Sequence, residues 1–149
     1  MTATFVVDAS VVVEFLAPGE MGDEADRFMD GLTRHDPIAL VAPDLLFLEA
    51  ASALGRLERR GHLSAQGADR AVARLPALPI GSVPAGMLVE QAWTLRKNIT
   101  VYDAAYLVLA GALDVPLVTA DRRLAKATER IAVTAVTLGD PELTEMLGA

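Results

Sequence analysis

Short apolar runs alternate with longer stretches in which apolar residues recur every three or four positions, and the alternation continues along the whole chain. Phe5-Val6-Val7 is a continuous apolar run ending at Asp8, and Ala9 to Leu16 follow as an apolar helical segment closed by Pro18-Gly19. Glu20 to Arg34 carry apolar residues at Ala25, Phe28, Met29 and Leu32, a spacing that predicts an amphipathic helix stopping before His35-Asp36-Pro37. Ile38 to Ala42 predict a second strand. A helix opens at Pro43-Asp44 and runs to Arg60, with Gly61 just beyond its basic end, where helices commonly terminate. Ser64 to Leu75 predict another helix, and Pro76, Pro79 and Pro84 frame a strand over Leu78 to Val83. Ala85 to Lys97 and Thr100 to Leu113 predict two more helices, the second apolar almost all round and therefore central. Pro116 to Thr119 read as a strand, Asp121 to Glu129 as a short basic helix and Ile131 to Thr137 as a last strand.

Strands that alternate with helices predict a parallel sheet, because parallel neighbours need crossover connections and those crossovers cover both sheet faces. The fold class is therefore α/β, and residues 1–149 read as one domain with no repeat or linker. Composition agrees, since 52% hydrophobic and 22% charged residues in 149 supply an aliphatic core for a single domain. No apolar stretch approaches the ~18 residues of a membrane span. The first apolar run lacks a basic flank and soon meets an acid, so it is not expected to be a signal peptide. The absence of cysteine excludes a disulfide scaffold, a Cys-based zinc site and a thiol nucleophile, and it suits a reducing cytosol. A cytoplasmic protein is the expectation. With 13 basic and 20 acidic residues the formal net charge is −7, so a nucleic-acid partner would need local basic patches or bound cations.

Candidate chemistry lies in the acids. In open parallel sheets the ligand crevice lies beyond the carboxyl ends of the strands, and Asp8 and Asp121 each follow a predicted strand. Each also precedes a predicted helix, so helix capping explains either one alone. Glu49 sits mid-helix among Leu45, Leu46 and Ala53, where a carboxylate costs several kcal/mol unless it is paired or bound to a cation. A buried ion pair with an arginine, or a polar edge of the helix, is the alternative. Asp103 opens the most apolar helix, although Thr100-Val101-Tyr102-Asp103 has the spacing of a capping box. If Asp8, Glu49, Asp103 and Asp121 converge, their repulsion must be offset by protonation or by a divalent cation. Hard oxygen donors favour Mg²⁺ or Mn²⁺ over zinc, and such an ion points to phosphodiester chemistry. Ser10, Thr100 and Thr119 could orient waters or carboxylates behind the acids, or serve only as cap and strand residues. The sequence has no glycine-rich phosphate loop, H-E-x-x-H or G-x-S-x-G, and His35 and His62 fall in predicted loops, which leaves a Ser-His-Asp hydrolase without support.

Val6-Val7-Asp8-Ala9-Ser10, Leu48-Glu49, Thr100-Val101-Tyr102-Asp103-Ala104-Ala105-Tyr106 and Leu117-Val118-Thr119-Ala120-Asp121, in that order and spacing, resemble the PIN-domain nucleases, and among them the VapC-type toxins of bacterial toxin–antitoxin pairs. The resemblance covers nearly the whole chain. It implies a three-layer α/β/α fold with a central parallel sheet, a Mg²⁺- or Mn²⁺-dependent endoribonuclease, a homodimer, and inhibition by a cognate antitoxin whose tail covers the active site. Asp8, Glu49 and Asp103 match the core acids of the family, and Asp121 matches its more variable fourth. Leu124 departs from the aromatic that many relatives carry after the last acid, a packing difference.

RNA must still approach an acidic protein. Arg96 and Lys97 precede Thr100, and Arg122, Arg123 and Lys126 follow Asp121, so basic residues flank two of the acidic segments and could guide phosphates. Arg56, Arg59 and Arg60 read instead as the solvated basic end of a helix. Aromatic residues are too few for base stacking to dominate. The alternative to a nuclease is a catalytically silent PIN-fold binding module, whose signature would be a missing acid. A phosphoacceptor signalling domain also clusters acids at strand ends, but Ile80-Gly81-Ser82 and Val136-Thr137-Leu138 lack its acceptor and lysine. An aspartyl phosphatase would need a second Asp where Ser10 stands.

Overall fold

The computed structural model describes residues 2–148, so Met1 and Ala149, the two ends of the expected domain, lie outside the described residues. Five strands form one sheet: β1 (Thr4–Val7), β2 (Ala39–Pro43), β3 (Ile80–Val83), β4 (Leu117–Thr119) and β5 (Ala135–Thr137). Their order is β3-β2-β1-β4-β5 and every neighbouring pair is parallel. Successive residues of a strand point to opposite faces. Phe5, Val6 and Val7 are all buried, so both faces of the central strand are covered, as a three-layer α/β/α arrangement requires.

The covering helices are α1 (Ala9–Leu16), α2 (Gly22–Met29), α3 (Leu46–Arg59), α4 (Ala65–Arg74), α5 (Val89–Thr94), α6 (Val101–Leu113), α7 (Arg122–Ala127) and α8 (Pro141–Met146). The apolar helix α6 packs on β1 and β2 and against α5, and Ala104 to Leu107 are buried in succession, which is why no polar face is legible in it. Helix α3 ends as its sequence predicts. Gly61 takes φ +76°, its N–H bonds the Glu58 carbonyl at 3.0 Å, and the His62 N–H reaches back to the Leu57 carbonyl at 2.9 Å. These two bonds satisfy carbonyls that a helix end leaves open.

Several boundaries differ from the sequence reading, each for a physical reason. The helix expected over 20–34 is α2 followed by a 3₁₀ turn, Asp30–Thr33, because the Gly31 carbonyl accepts the Ile38 N–H and draws the chain toward β2. Asp44 does not open α3. Its N–H bonds the Val83 carbonyl and its carboxylate accepts the Ala85 N–H at 2.9 Å, tying β2 to the end of β3, and the helix starts at Leu46. The segment expected as one helix over 85–97 is a 3₁₀ turn, Ala85–Leu88, then α5 and turns to Asn98. The basic helix expected over 121–129 ends at Ala127 and tightens into a 3₁₀ turn. The last strand covers only Ala135–Thr137, because β5 can pair only along the three residues of β4. Helix α8 was not anticipated, although Asp140-Pro141 is a readable start signal.

Topology fixes where a site can form. From β1 the chain moves outward to β2 and β3, then crosses back to β4 and β5 on the other side of β1. The connections therefore diverge between β1 and β4, and a crevice opens there beyond the carboxyl ends of the strands.

Candidate active site

Asp8 is the first residue after β1 and the N-cap of α1, its Oδ1 accepting from the Ser10 N–H at 3.2 Å. The Ser10 hydroxyl donates to the same oxygen at 2.5 Å, and the Thr119 hydroxyl donates to Oδ2 at 2.8 Å. With their protons directed at Asp8, the two hydroxyl oxygens accept the N–H groups of Ala120 and Asp121, both at 2.9 Å. One carboxylate thereby joins the end of β1 to the end of β4. Asp8 is only 6% exposed. Burial outweighs these hydrogen bonds and pushes its carboxyl up to about 6, with the Asp103 charge adding to the rise.

Glu49 lies in the first turn of α3, half-buried. The Tyr106 hydroxyl, on a side chain 1% exposed, donates to Glu49 Oε1 at 2.6 Å. Among the described residues no arginine forms an ion pair with Glu49. Burial raises its carboxyl, the tyrosine bond opposes that, and Asp103 raises it further. Asp103, in the first turn of α6, donates its N–H to Thr100 Oγ1 at 3.1 Å, the cap its sequence predicts. Burial and then the Asp121 charge raise the Asp103 carboxyl, while Arg123 and Thr100 lower it. Asp121 caps α7, accepting from the Arg123 and Leu124 N–H groups at 2.9 and 3.3 Å, and its other oxygen lies 3.6 Å from the Arg123 guanidinium.

All four acids line one cleft of about 350 Å³. Ser10 also lines it, whereas Thr119 and Thr100 stand behind Asp8 and Asp103 as hydrogen-bond partners. Capping and convergence are thus compatible: Asp8 and Asp121 hold the helix starts and present their carboxylates to the same space. Asp103 is the hub, because its charge is felt by Asp8 and Glu49 and it feels Asp121.

Three lining residues escaped the sequence reading. Tyr106 follows Asp103 by three positions and so shares its helix face, a spacing that was legible. Arg56, read as part of a solvated helix end, lines the cleft: Glu49, Ala53 and Arg56 fall at steps of four and three along one face of α3. Glu14 also borders the cleft, but its carboxylate is engaged by the N–H groups of Gly19 and Met21 at 2.9 and 3.2 Å.

The donor chemistry fits a hard divalent cation: the acids offer carboxylate oxygens, and in Asp8, Glu49 and Asp103 the ionised form is disfavoured first by burial and then by a neighbouring carboxylate of the cleft. Among the described residues no three His, Asp or Glu side chains stand ready to hold an ion by themselves. Mg²⁺ characteristically keeps several waters and takes one or two carboxylates together with substrate phosphate, so an open acidic cleft accommodates it.

Residues 5–130 match the PIN domain. The chain belongs to the PIN-domain family. This PIN domain is 42% identical to Ribonuclease VapC1 of Mycobacterium tuberculosis over 124 residues, which cover 82% of the chain and 89% of that protein. It is 35% identical to Ribonuclease VapC3 of the same organism over 122 residues, covering 82% and 85%. Among solved structures, PAE2754 from Pyrobaculum aerophilum superposes with a TM-score of 0.68 at 22% identity over 100% of both chains. Mycobacterium tuberculosis VapC20, a sarcin–ricin loop cleaving toxin, superposes with a TM-score of 0.62 at 18% identity over 83% of this chain and 94% of its own. These two structures share the three-layer PIN fold.

Proposed function

We propose that this chain is a VapC-type endoribonuclease, the toxin of a type II toxin–antitoxin pair, hydrolysing RNA phosphodiester bonds with Mg²⁺ or Mn²⁺. The observation that carries this reading is the meeting of Asp8, Glu49, Asp103 and Asp121 in one cleft at the point where the sheet connections diverge. Similarity to ribonucleases along more than four-fifths of the chain supports it. A silent binding module would have lost one of the acids, and all four are present.

Asp8, Asp103, Glu49 and Asp121 would hold the cation. Bound there, the ion would supply activation of a water and stabilisation of the leaving oxygen in an in-line displacement. The chain's own residues prepare that site. Ser10 and Thr119 fix both oxygens of Asp8, and Tyr106 fixes one oxygen of Glu49, so neither carboxylate reorients when substrate arrives. Repulsion among the acids in the metal-free state is relieved by a cation, so binding energy is stored where the reaction needs it. The domain acts as a cytoplasmic homodimer over residues 1–149, and a cognate antitoxin is its protein partner. That family-derived arrangement is open to a direct mass measurement in solution.

Incubation of the chain with a mixed RNA substrate tests the activity. Cleavage is expected in Mg²⁺ or Mn²⁺ and should stop in EDTA. Asp8→Asn and Asp103→Asn should each lower the rate by at least a hundredfold, about 3 kcal/mol at the transition state, with a melting curve that still shows a folded protein. Full activity in either variant would reject this site.

A further inference from the structure

A second cavity, of about 360 Å³, adjoins the acidic cleft, and its lining has the opposite charge. Arg96, Lys97 and Arg123 line it, and Asp103 lines both spaces, so the two meet at that side chain. The cations arrive from different parts of the chain, Arg96 and Lys97 from the turn before α6 and Arg123 from α7. Three cations against one carboxylate on a protein of net charge −7 is a local reversal of sign.

Two of these cations, Arg96 and Lys97, are left for a ligand rather than used in internal pairing. The Arg96 guanidinium sits over the exposed Trp93 ring, its central carbon 4.3 Å from the ring centroid, and donates to the Trp93 carbonyl at 3.0 Å, so it is positioned with most of its five donors unused by that bond. Among the described residues no carboxylate pairs with Arg96 or Lys97. Arg123 leans on Asp121 at 3.6 Å and so connects the basic cavity to the acidic cleft. Leu124, buried beneath, gives the cavity an apolar wall.

Resting on the ribonuclease reading above, the geometry points to this cavity as a subsite for a backbone phosphate of single-stranded RNA next to the scissile one. Arg96, Lys97 and Arg123 grip that phosphate, and the Arg96 plane on Trp93 offers a surface on which the attached base can lie. These residues are positioning residues. They set where the strand lies across Asp103.

Fluorescence anisotropy with a labelled single-stranded RNA, titrated with the Asp8→Asn chain in Mg²⁺ over a range of salt, reads the subsite through binding alone. Arg96→Ala and Lys97→Ala are expected to weaken binding by about three- to tenfold each. Each lost phosphate contact should also make the slope of log affinity against log salt shallower by about 0.7. Arg59→Ala, at the exposed end of α3 and outside both cavities, is expected to change neither quantity. Binding by the parent that ignores Arg96 and Lys97, or that weakens equally in Arg59→Ala, overturns the subsite and leaves the ribonuclease reading standing. Unchanged RNA affinity with lost affinity for polyglutamate would instead give the cavity to an acidic protein segment, and likewise overturns it. No RNA binding by the parent overturns the subsite together with the ribonuclease reading.

Discussion

Asp8 shows most clearly how one residue serves fold and site together. Its carboxylate caps α1, binds the hydroxyls of Ser10 and Thr119, and faces the cleft, all while 6% exposed. Burial sets its proton affinity, and the sign of the consequence follows. The folded-state value of about 6 stands above the ordinary 3.8, so in metal-free solution the folded state takes up the proton before the unfolded chain does. Stability is then lost as pH rises from about 4 to about 6, by about 3 kcal/mol for this one group. Burial raises Glu49 and Asp103 in the same direction. Melting temperatures in EDTA should fall across that window and level off above it, and Asp8→Asn should flatten the fall. A profile that rises through the window would contradict the assignment of Asp8 as a buried, strained acid.

At this scale the four acids were legible in the sequence because each looked out of place or followed a strand. For Tyr106 the spacing from Asp103 was legible but the role of its hydroxyl was not. A tyrosine in an apolar helix reads as core, and it is core, except that its hydroxyl ends on Glu49. Arg56 is the exposed, basic helix-end residue the sequence suggests, and it also borders the cleft, because the packing of α3 turns the Glu49 face toward that space, which local sequence does not encode.

Among elements, α3 and α6 matter most to the site, since their first turns carry Glu49 and Asp103 and a single side-chain bond links them. The Tyr106 hydroxyl, one turn into α6, reaches Glu49 in the first turn of α3 and ties the two helices at the cleft. Tyr106→Phe removes the donor and leaves the ring, so it should cost about 1 kcal/mol and move the Glu49 carboxyl still further up, which carboxyl-resolved NMR titration can follow. Helix stops were legible where one residue dictates them: Gly61 is the example, and Gly61→Ala, forcing a Cβ at φ +76°, should cost about 1 kcal/mol in chemical denaturation. Starts and lengths were less legible wherever a distant partner sets them. Asp44 looked like a helix start but bonds to Ala85, 41 residues away, and β5 is no longer than the strand it pairs with. No local spacing encodes such partners.

For the whole molecule, the alternation of strand and helix predicted the parallel sheet, and the sheet order then explains why acids so far apart in sequence meet. With β1 central and the chain returning to β4, residues following β1 and β4 are neighbours, while α3 and α6 bring their first turns to the same edge. Strand order itself was not readable from a single chain; it emerges from which apolar faces pack. On the proposed ribonuclease activity, an acidic protein must localise its positive charge to meet RNA, and the cavity beside Asp103 gathers Arg96, Lys97 and Arg123.

Calorimetric titration of Mn²⁺ into the metal-free chain, with Asp103→Asn alongside, bears most directly on the claim that the four acids form one cation site. Saturable binding by the parent, alone or with a short RNA present, that weakens at least tenfold in the variant is the expected result. Equal binding by both, or none by the parent even with RNA, would contradict it and leave the acids as caps and hydrogen-bonded carboxylates without a shared function.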